Sequence, residues 1–279
     1  MNMKKSLILV FLFLLPFTTV EASEQKSLEL PRVQVIPIQD TQSDRQYELY
    51  IKLPEGYSEN NDVKYPVVYF TDAMWHVEML SGSTEYLMNN VILVGISWQK
   101  DLKDARAHDS RFRDYTLTPS QNTDRQRGEA SNHLAFIRND VFTYVENTYR
   151  TDPDQRTYFG YSLGGLFGAY ILVAQPNTFK NYIFGSPALG GGGGRYISEL
   201  EANLALKRKD LNANVFIAVG ALEKTYIGPI EDFISKLKSR NYASLSIQPL
   251  AVIEGANHGT AFPVMVVRSI KWLSDLERE

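Results

Sequence analysis

The chain contains no cysteine in 279 residues. That excludes disulfides, thiolate metal sites and a lipid anchor on an N-terminal cysteine. Histidine is scarce as well, with four copies, and neither an H-E-x-x-H pattern nor a paired-histidine spacing occurs, so no metal and no cofactor is implied. Positive charge is not in excess: 29 Lys and Arg stand against 32 Asp and Glu, a formal net charge of −3. That balance argues against a nucleic-acid partner, and the one basic cluster, Lys207-Arg208-Lys209, is too short to reverse it. The only long apolar run is N-terminal. Ser6 to Val20 is broken by Pro16, follows Lys4-Lys5 and precedes Val20-Glu21-Ala22. It is short for a membrane span of about 20 residues and has the parts of a secretory signal peptide cleaved after Ala22. Residues 1–22 are therefore expected to be a signal peptide with no stable membrane anchor, and the protein periplasmic or secreted. A large core lets an exported chain dispense with disulfides.

What is present is apolar mass. At 44% hydrophobic and 12% aromatic residues, 23–279 can bury one large core, which suits a single domain. Arg32–Ile38, Gln46–Leu53, Tyr65–Phe70, Val91–Trp98, Thr157–Phe159, Asn181–Gly185, Asn214–Val219 and Leu245–Ile253 read as strands. Helical periodicity separates several of them, in Val77–Met88, from Ser131 onward, from Leu163 to Ala174, and in Ile197–Lys209, Ile230–Leu237 and Phe262–Leu276. This alternation predicts an α/β fold, a mostly parallel central sheet flanked by helices. Gln99–Arg127 lacks clear periodicity and is expected as a long functional loop. Gly190–Gly194, five consecutive glycines, is expected as a loop without stiffness at the rim of the site, leaving an open acyl pocket.

The chain is organised around Arg156–Leu166, RTYFGYSLGGL. An apolar strand runs into Gly160-Tyr161-Ser162-Leu163-Gly164 and then into a helix. In this turn the serine is held in a strained conformation that lifts its Oγ above the sheet, and a Cβ on either flanking glycine would collide with its neighbours. Leu163 N–H, at the helix N-terminus, can donate to a developing oxyanion. A nucleophilic serine needs a base, and His258 in Asn257-His258-Gly259 follows the last strand. His76, His108 and His133 precede the serine and are expected as surface or helix-start residues. The acid that orients the base should lie between Ser162 and His258. Glu223, one short turn beyond the strand ending at Val219, is the first candidate, with Glu231 and Asp232 as runners-up within a helix. A second oxyanion donor should come from Thr71-Asp72-Ala73-Met74, through the amide of Met74 or of Ala73.

Together YFTDAMW, VGISW, RFRDYTLTP, VENTYRTDPDQRTYFGYSLGGLFGAYIL, FGSPAL, VGALE and ANHGT resemble the esterase D-like branch of the α/β-hydrolases, from about Arg32 to Leu276. The resemblance is strongest toward its siderophore-esterase-like members. It implies a serine esterase acting on a small-molecule ester, with Ser162, His258 and Glu223 as the triad and Met74 supplying the second oxyanion amide. It also implies that Arg111 and Asp114, in RFRDYT, shape the substrate side of the cleft. In place of a tryptophan-containing segment usual in those members, this chain carries its five glycines. Two rival functions are an acyltransferase of the antigen 85 kind and a catalytically silent protein that holds an anionic or ferric ligand.

Overall fold

The computed structural model describes residues 29–58, 62–103, 105–119 and 125–278, so the expected signal peptide lies outside the described residues. The sheet starts antiparallel. β1 (Val33–Gln39) and β2 (Gln46–Lys52) pair from Val33↔Lys52 to Gln39↔Gln46, and β2 alternates, with Tyr47, Leu49 and Ile51 buried. From there the strands run parallel, and those at the centre of the sheet are apolar on both faces, as strands covered by two helical layers must be. The parallel strands are β3 (Tyr65–Phe70), β4 (Ile92–Ile96), β5 (Thr151–Tyr161), β6 (Asn181–Gly185), β7 (Asp210–Gly220), β8 (Ala243–Ile247) and β9 (Ala251–Ile253). The order is β1-β2-β4-β3-β5-β6-β7-β8, β2 meeting β4 antiparallel. The final strand expected over Leu245–Ile253 is two: β8 pairs with the first half of β7 and β9 with its end. Pro249 falls in the gap, where a residue without an N–H cannot continue the ladder.

The helices are α1 (Ala73–Leu87), α2 (Ser110–Asp114), α3 (Ala130–Phe136), α4 (Phe142–Thr148), α5 (Leu163–Ala174), α6 (Gly191–Ala205), α7 (Lys224–Ser239) and α8 (His258–Leu276). One π-helical turn, Ile137–Val141, joins α3 to α4 without breaking the apolar face of Leu134, Ile137, Val141 and Val145. α1 and α8 cover one face of the sheet with Val77, Leu80, Met265, Val266 and Ile270, and α3 to α7 cover the other. The middle strands are thereby shielded on both sides, and their carboxyl ends carry the loops that build the site.

The five glycines are a correction. They do not form a loop: Gly190 caps α6 and the other four are its first turn. Glycine is poor in helices, but packing dictates it here. A Cβ on Gly194 would stand 1.8 Å from the Leu189 carbonyl oxygen, and one on Gly193 would stand 3.0 Å from Leu166 Cδ2.

Candidate active site

Ser162 closes β5 and opens α5 with φ 58° and ψ −113°, a backbone conformation that costs a non-glycine residue roughly 1–3 kcal/mol. Its main chain is pinned on both sides. The N–H donates to Gly185 O (2.9 Å), and the C=O accepts from Leu166 N (3.0 Å) and Ala188 N (3.1 Å). Close approach explains the flanking glycines: a Cβ on Gly160 would lie 2.4 Å from Gly164 O, and one on Gly164 would lie 2.4 Å from Thr71 Oγ1. Leu163 is the first residue of α5, where amides have no acceptor within the helix.

His258 is the first residue of α8 and not a loop residue. Asn257 caps that helix, its side-chain oxygen accepting from Gly259 N (3.0 Å) and Thr260 N (3.1 Å). The cap fixes the backbone from which the imidazole projects. His258 Nδ1 stands 2.5 Å from Glu223 Oε1. Glu223 follows β7 at the mouth of α7 and is buried, and its other oxygen accepts from Ser186 Oγ (2.7 Å) and Gly220 N (2.8 Å). All four acceptor directions are not needed to hold a carboxylate; these three fix its plane. Since Glu223 accepts from Nδ1–H, Nε2 of a neutral His258 keeps its lone pair. Tyr161, the residue before Ser162, ties the two ends together. Its hydroxyl donates to His258 O (2.5 Å), its ring lies 5.1 Å from the imidazole, and burial pushes its pKa up to about 12.

The loop after β3 packs against the first turn of α5 through the Thr71–Gly164 contact. It is held by Asp72, which is fully buried and left-handed (φ 56°). Asp72 accepts two hydrogen bonds from Arg111, both 2.9 Å, and a third from Trp98 Nε1 at 2.6 Å. His76 fastens the loop from behind: it is buried, not a surface residue as expected, and its Nδ1 lies 2.9 Å from Thr71 O. Burial holds its pKa below the usual histidine range, so the ring is neutral and Nδ1–H donates. Ala73 and Met74 open α1, and their amides lie in the turn that has no intrahelical acceptor.

A family model described as Putative esterase matches residues 41–219, more than half of the chain. The chain belongs to that esterase family. It is a carboxylic ester hydrolase. Ferri-bacillibactin esterase BesA of Bacillus subtilis (strain 168) is 26% identical to it over 265 residues, covering 87% of this chain and 90% of that protein. Among solved structures, the BES protein from Bacillus cereus superimposes with a TM-score of 0.79 at 22% identity, covering 90% of this chain and 98% of that one. An IroE-like serine hydrolase from Shewanella oneidensis gives 0.74 at 20% identity, covering 87% of this chain and 80% of that one. The esterase thus has the α/β-hydrolase fold, in one domain.

Not every residue named from the sequence reaches the site in the way expected. Arg111 is buried and spends its guanidinium on Asp72, with the faces of Trp75 and Tyr115 5.1 and 5.8 Å away. Asp114 is also buried. It pairs with Arg113 Nε (2.8 Å) and accepts from Tyr47 OH (3.1 Å). Both side chains are thus engaged with partners inside the protein and hold the loops around them. Glu231 and Asp232 are exposed on α7, and it is Glu223 that meets His258. Sequence reading missed Asp72, Tyr161, Ser186 and Trp98 as supports. Ser186 alone had a signal, the Ser-Pro that stops β6.

Among the described residues no group of three or more His, Asp or Glu side chains could hold a metal, and no helix is long and apolar enough to cross a membrane.

Proposed function

We propose that this esterase works through Ser162 as nucleophile, His258 as base and Glu223 as the acid that orients it, by way of an acyl-enzyme. The observation that carries the reading is the 2.5 Å Glu223–His258 hydrogen bond at the end of the sheet where Ser162 sits in its strained turn. His258 Nε2 takes the Ser162 proton as Oγ attacks the ester carbonyl carbon. The carbonyl oxygen becomes an oxyanion held by the amides of Leu163 and Met74, each of which contributes roughly 2.7–4 kcal/mol in such sites. The intermediate collapses, His258 protonates the departing alcohol, and the acyl group stays on Ser162. Water enters, loses its proton to His258, and a second collapse frees the carboxylic acid and restores the serine.

The substrate is a small or medium carboxylic ester. The side-chain-free first turn of α6 supports an open acyl pocket, since Gly192 and Gly193 line a cleft of about 560 Å³ that also touches Leu163. A siderophore ester is the second reading, favoured by the relative named as a ferri-bacillibactin esterase. The protein is exported, its signal peptide removed after Ala22, and N-terminal sequencing of the mature protein beginning at Ser23 would verify this. The chemistry is tested by kinetics on p-nitrophenyl esters of rising chain length beside a trilactone siderophore. Turnover of the short esters, lost by a factor on the order of 10⁴ or more in Ser162→Ala, is the expected result. An unchanged rate in that variant would remove Ser162 from the mechanism.

A further inference from the structure

Five arginines fall between residues 106 and 127, and four have a carboxylate. Arg106 and Arg125 face Asp109 at 3.7 and 3.2 Å, Arg111 is paired with Asp72, and Arg113 with Asp114. Arg127 has none. Its Nε is buried with no acceptor, and no carboxylate among the described residues pairs with it. A buried guanidinium N–H without an acceptor is unfavourable, and such a group in a native structure calls for an explanation.

The rest of the Arg127 side chain reaches a cleft. It lines the 560 Å³ cleft, one wall of which is Thr118, Pro119 and Arg127 and the other Leu163, Gly192 and Gly193. Leu163 follows Ser162, so the guanidinium shares its cleft with the turn that carries the serine. Among the described residues lining that cleft Arg127 is the one that carries a charge. Phe112 lies beneath it, with the guanidinium carbon 5.3 Å from the ring centroid. Stacking of that kind steadies the plane of the fork and leaves its edge donors for a partner in the cleft.

The geometry points to Arg127 as a specificity-determining residue that binds a carboxylate carried by the ester substrate, away from the scissile bond. This rests on the cleft beside Ser162 being the substrate site. A carboxylate matches the fork because its two oxygens can take two parallel N–H donors. It also needs a local cation, since a chain of net charge −3 offers no general attraction to an anion. Once bound, the carboxylate takes the outer N–H donors of the fork, and a neutral substrate of equal size would leave them to water.

The test uses the Ser162→Ala variant, so that esters can bind without turnover. Calorimetry measures two pairs of probes: 4-acetoxybenzoate with its methyl ester, which carry or lack the anion on the alcohol side, and mono-p-nitrophenyl glutarate with its methyl ester, which do so on the acyl side. In at least one pair the anionic probe should bind at least tenfold more tightly than the neutral one. Adding Arg127→Gln should abolish that difference while leaving neutral binding within twofold, and Arg127→Lys should restore part of it. Equal binding within both pairs, or an equal loss for both probes in Arg127→Gln, would overturn the assignment. Consumption of ester by Ser162→Ala during the titration would instead count against the nucleophile reading, so the two failures are distinguishable.

Discussion

Glu223 holds His258 with one carboxylate oxygen while Ser186 and Gly220 hold the other. The carboxylate is thus anchored by β6 and β7 together, and the imidazole inherits their rigidity. If that pair orients the base, Glu223→Ala should lower kcat by about 10²- to 10⁴-fold with KM little changed, less than the loss in Ser162→Ala. Asp232→Ala, at an exposed position on α7, should be close to silent. The opposite ranking in steady-state kinetics would move the acid to Asp232.

Ser186 is expected to tune that arrangement. Its hydroxyl gives one of the two hydrogen bonds on Glu223 Oε2, and a bond to a charged acceptor contributes roughly 1.5–3 kcal/mol. Ser186→Ala should therefore reduce kcat by about ten- to a hundred-fold, on the same conversion. Stability and kcat of this variant measured side by side decide the matter. A loss of stability with kcat intact would make Ser186 a purely structural residue.

Arg111→Ala should be among the most damaging changes outside the triad. It leaves Asp72 buried with only Trp98 to answer its charge, and breaking a buried pair costs about 3–5 kcal/mol. Because Asp72 opens the turn that presents Met74, kcat should fall as well. Urea denaturation with the mutant unchanged from wild type would show that the pair contributes nothing net.

The distance from sequence to structure differs between parts of the site. The positions of Ser162 and Glu223 were legible because each follows an apolar strand run, and the topology sends strand ends to one rim; His258 follows only the short β9. The clamp on Asp72 was not: Arg111 lies 39 positions away, and no local pattern pairs them. The glycine run misled for a physical reason: intrinsic propensity disfavours a helix of glycines, while tight packing on Leu166 and Leu189 requires glycine at Gly193 and Gly194. The start of α8 at His258 was hidden too, although Asn257 and Thr260 form its capping box.

The first turn of α6 separates open from packed positions. Gly192→Trp meets only Arg195 nearby and should fill part of the cleft, narrowing the range of acyl chains accepted while the fold survives. Gly194→Ala runs into the Leu189 carbonyl and should lower the melting temperature by several degrees. An ester panel unaltered by Gly192→Trp would mean that this turn does not border the bound acyl group.

Glu277 at the end of α8 should make stability pH-dependent. Burial, with Asp152 adding to it, pushes its pKa up to about 7 from an ordinary 4.5. Below about 4.5 the group is protonated in both folded and unfolded chains and contributes nothing. As pH rises toward 7 the unfolded chain ionises first, so the folded state loses stability across that window. Glu277→Gln should accordingly raise the melting temperature at pH 8 and leave it unchanged at pH 4. The reverse pattern would mean that the ionised carboxylate is stabilised in the fold.

The central claim is that Ser162 is an activated nucleophile, and covalent labelling tests it most directly. A fluorophosphonate should add to the intact protein in a one-to-one ratio, the added mass mapping to the peptide that contains Ser162. Labelling should vanish in Ser162→Ala and slow markedly in Glu223→Ala. A wild-type protein that remains unlabelled, or that labels at another residue while Ser162→Ala still hydrolyses esters, would contradict the account.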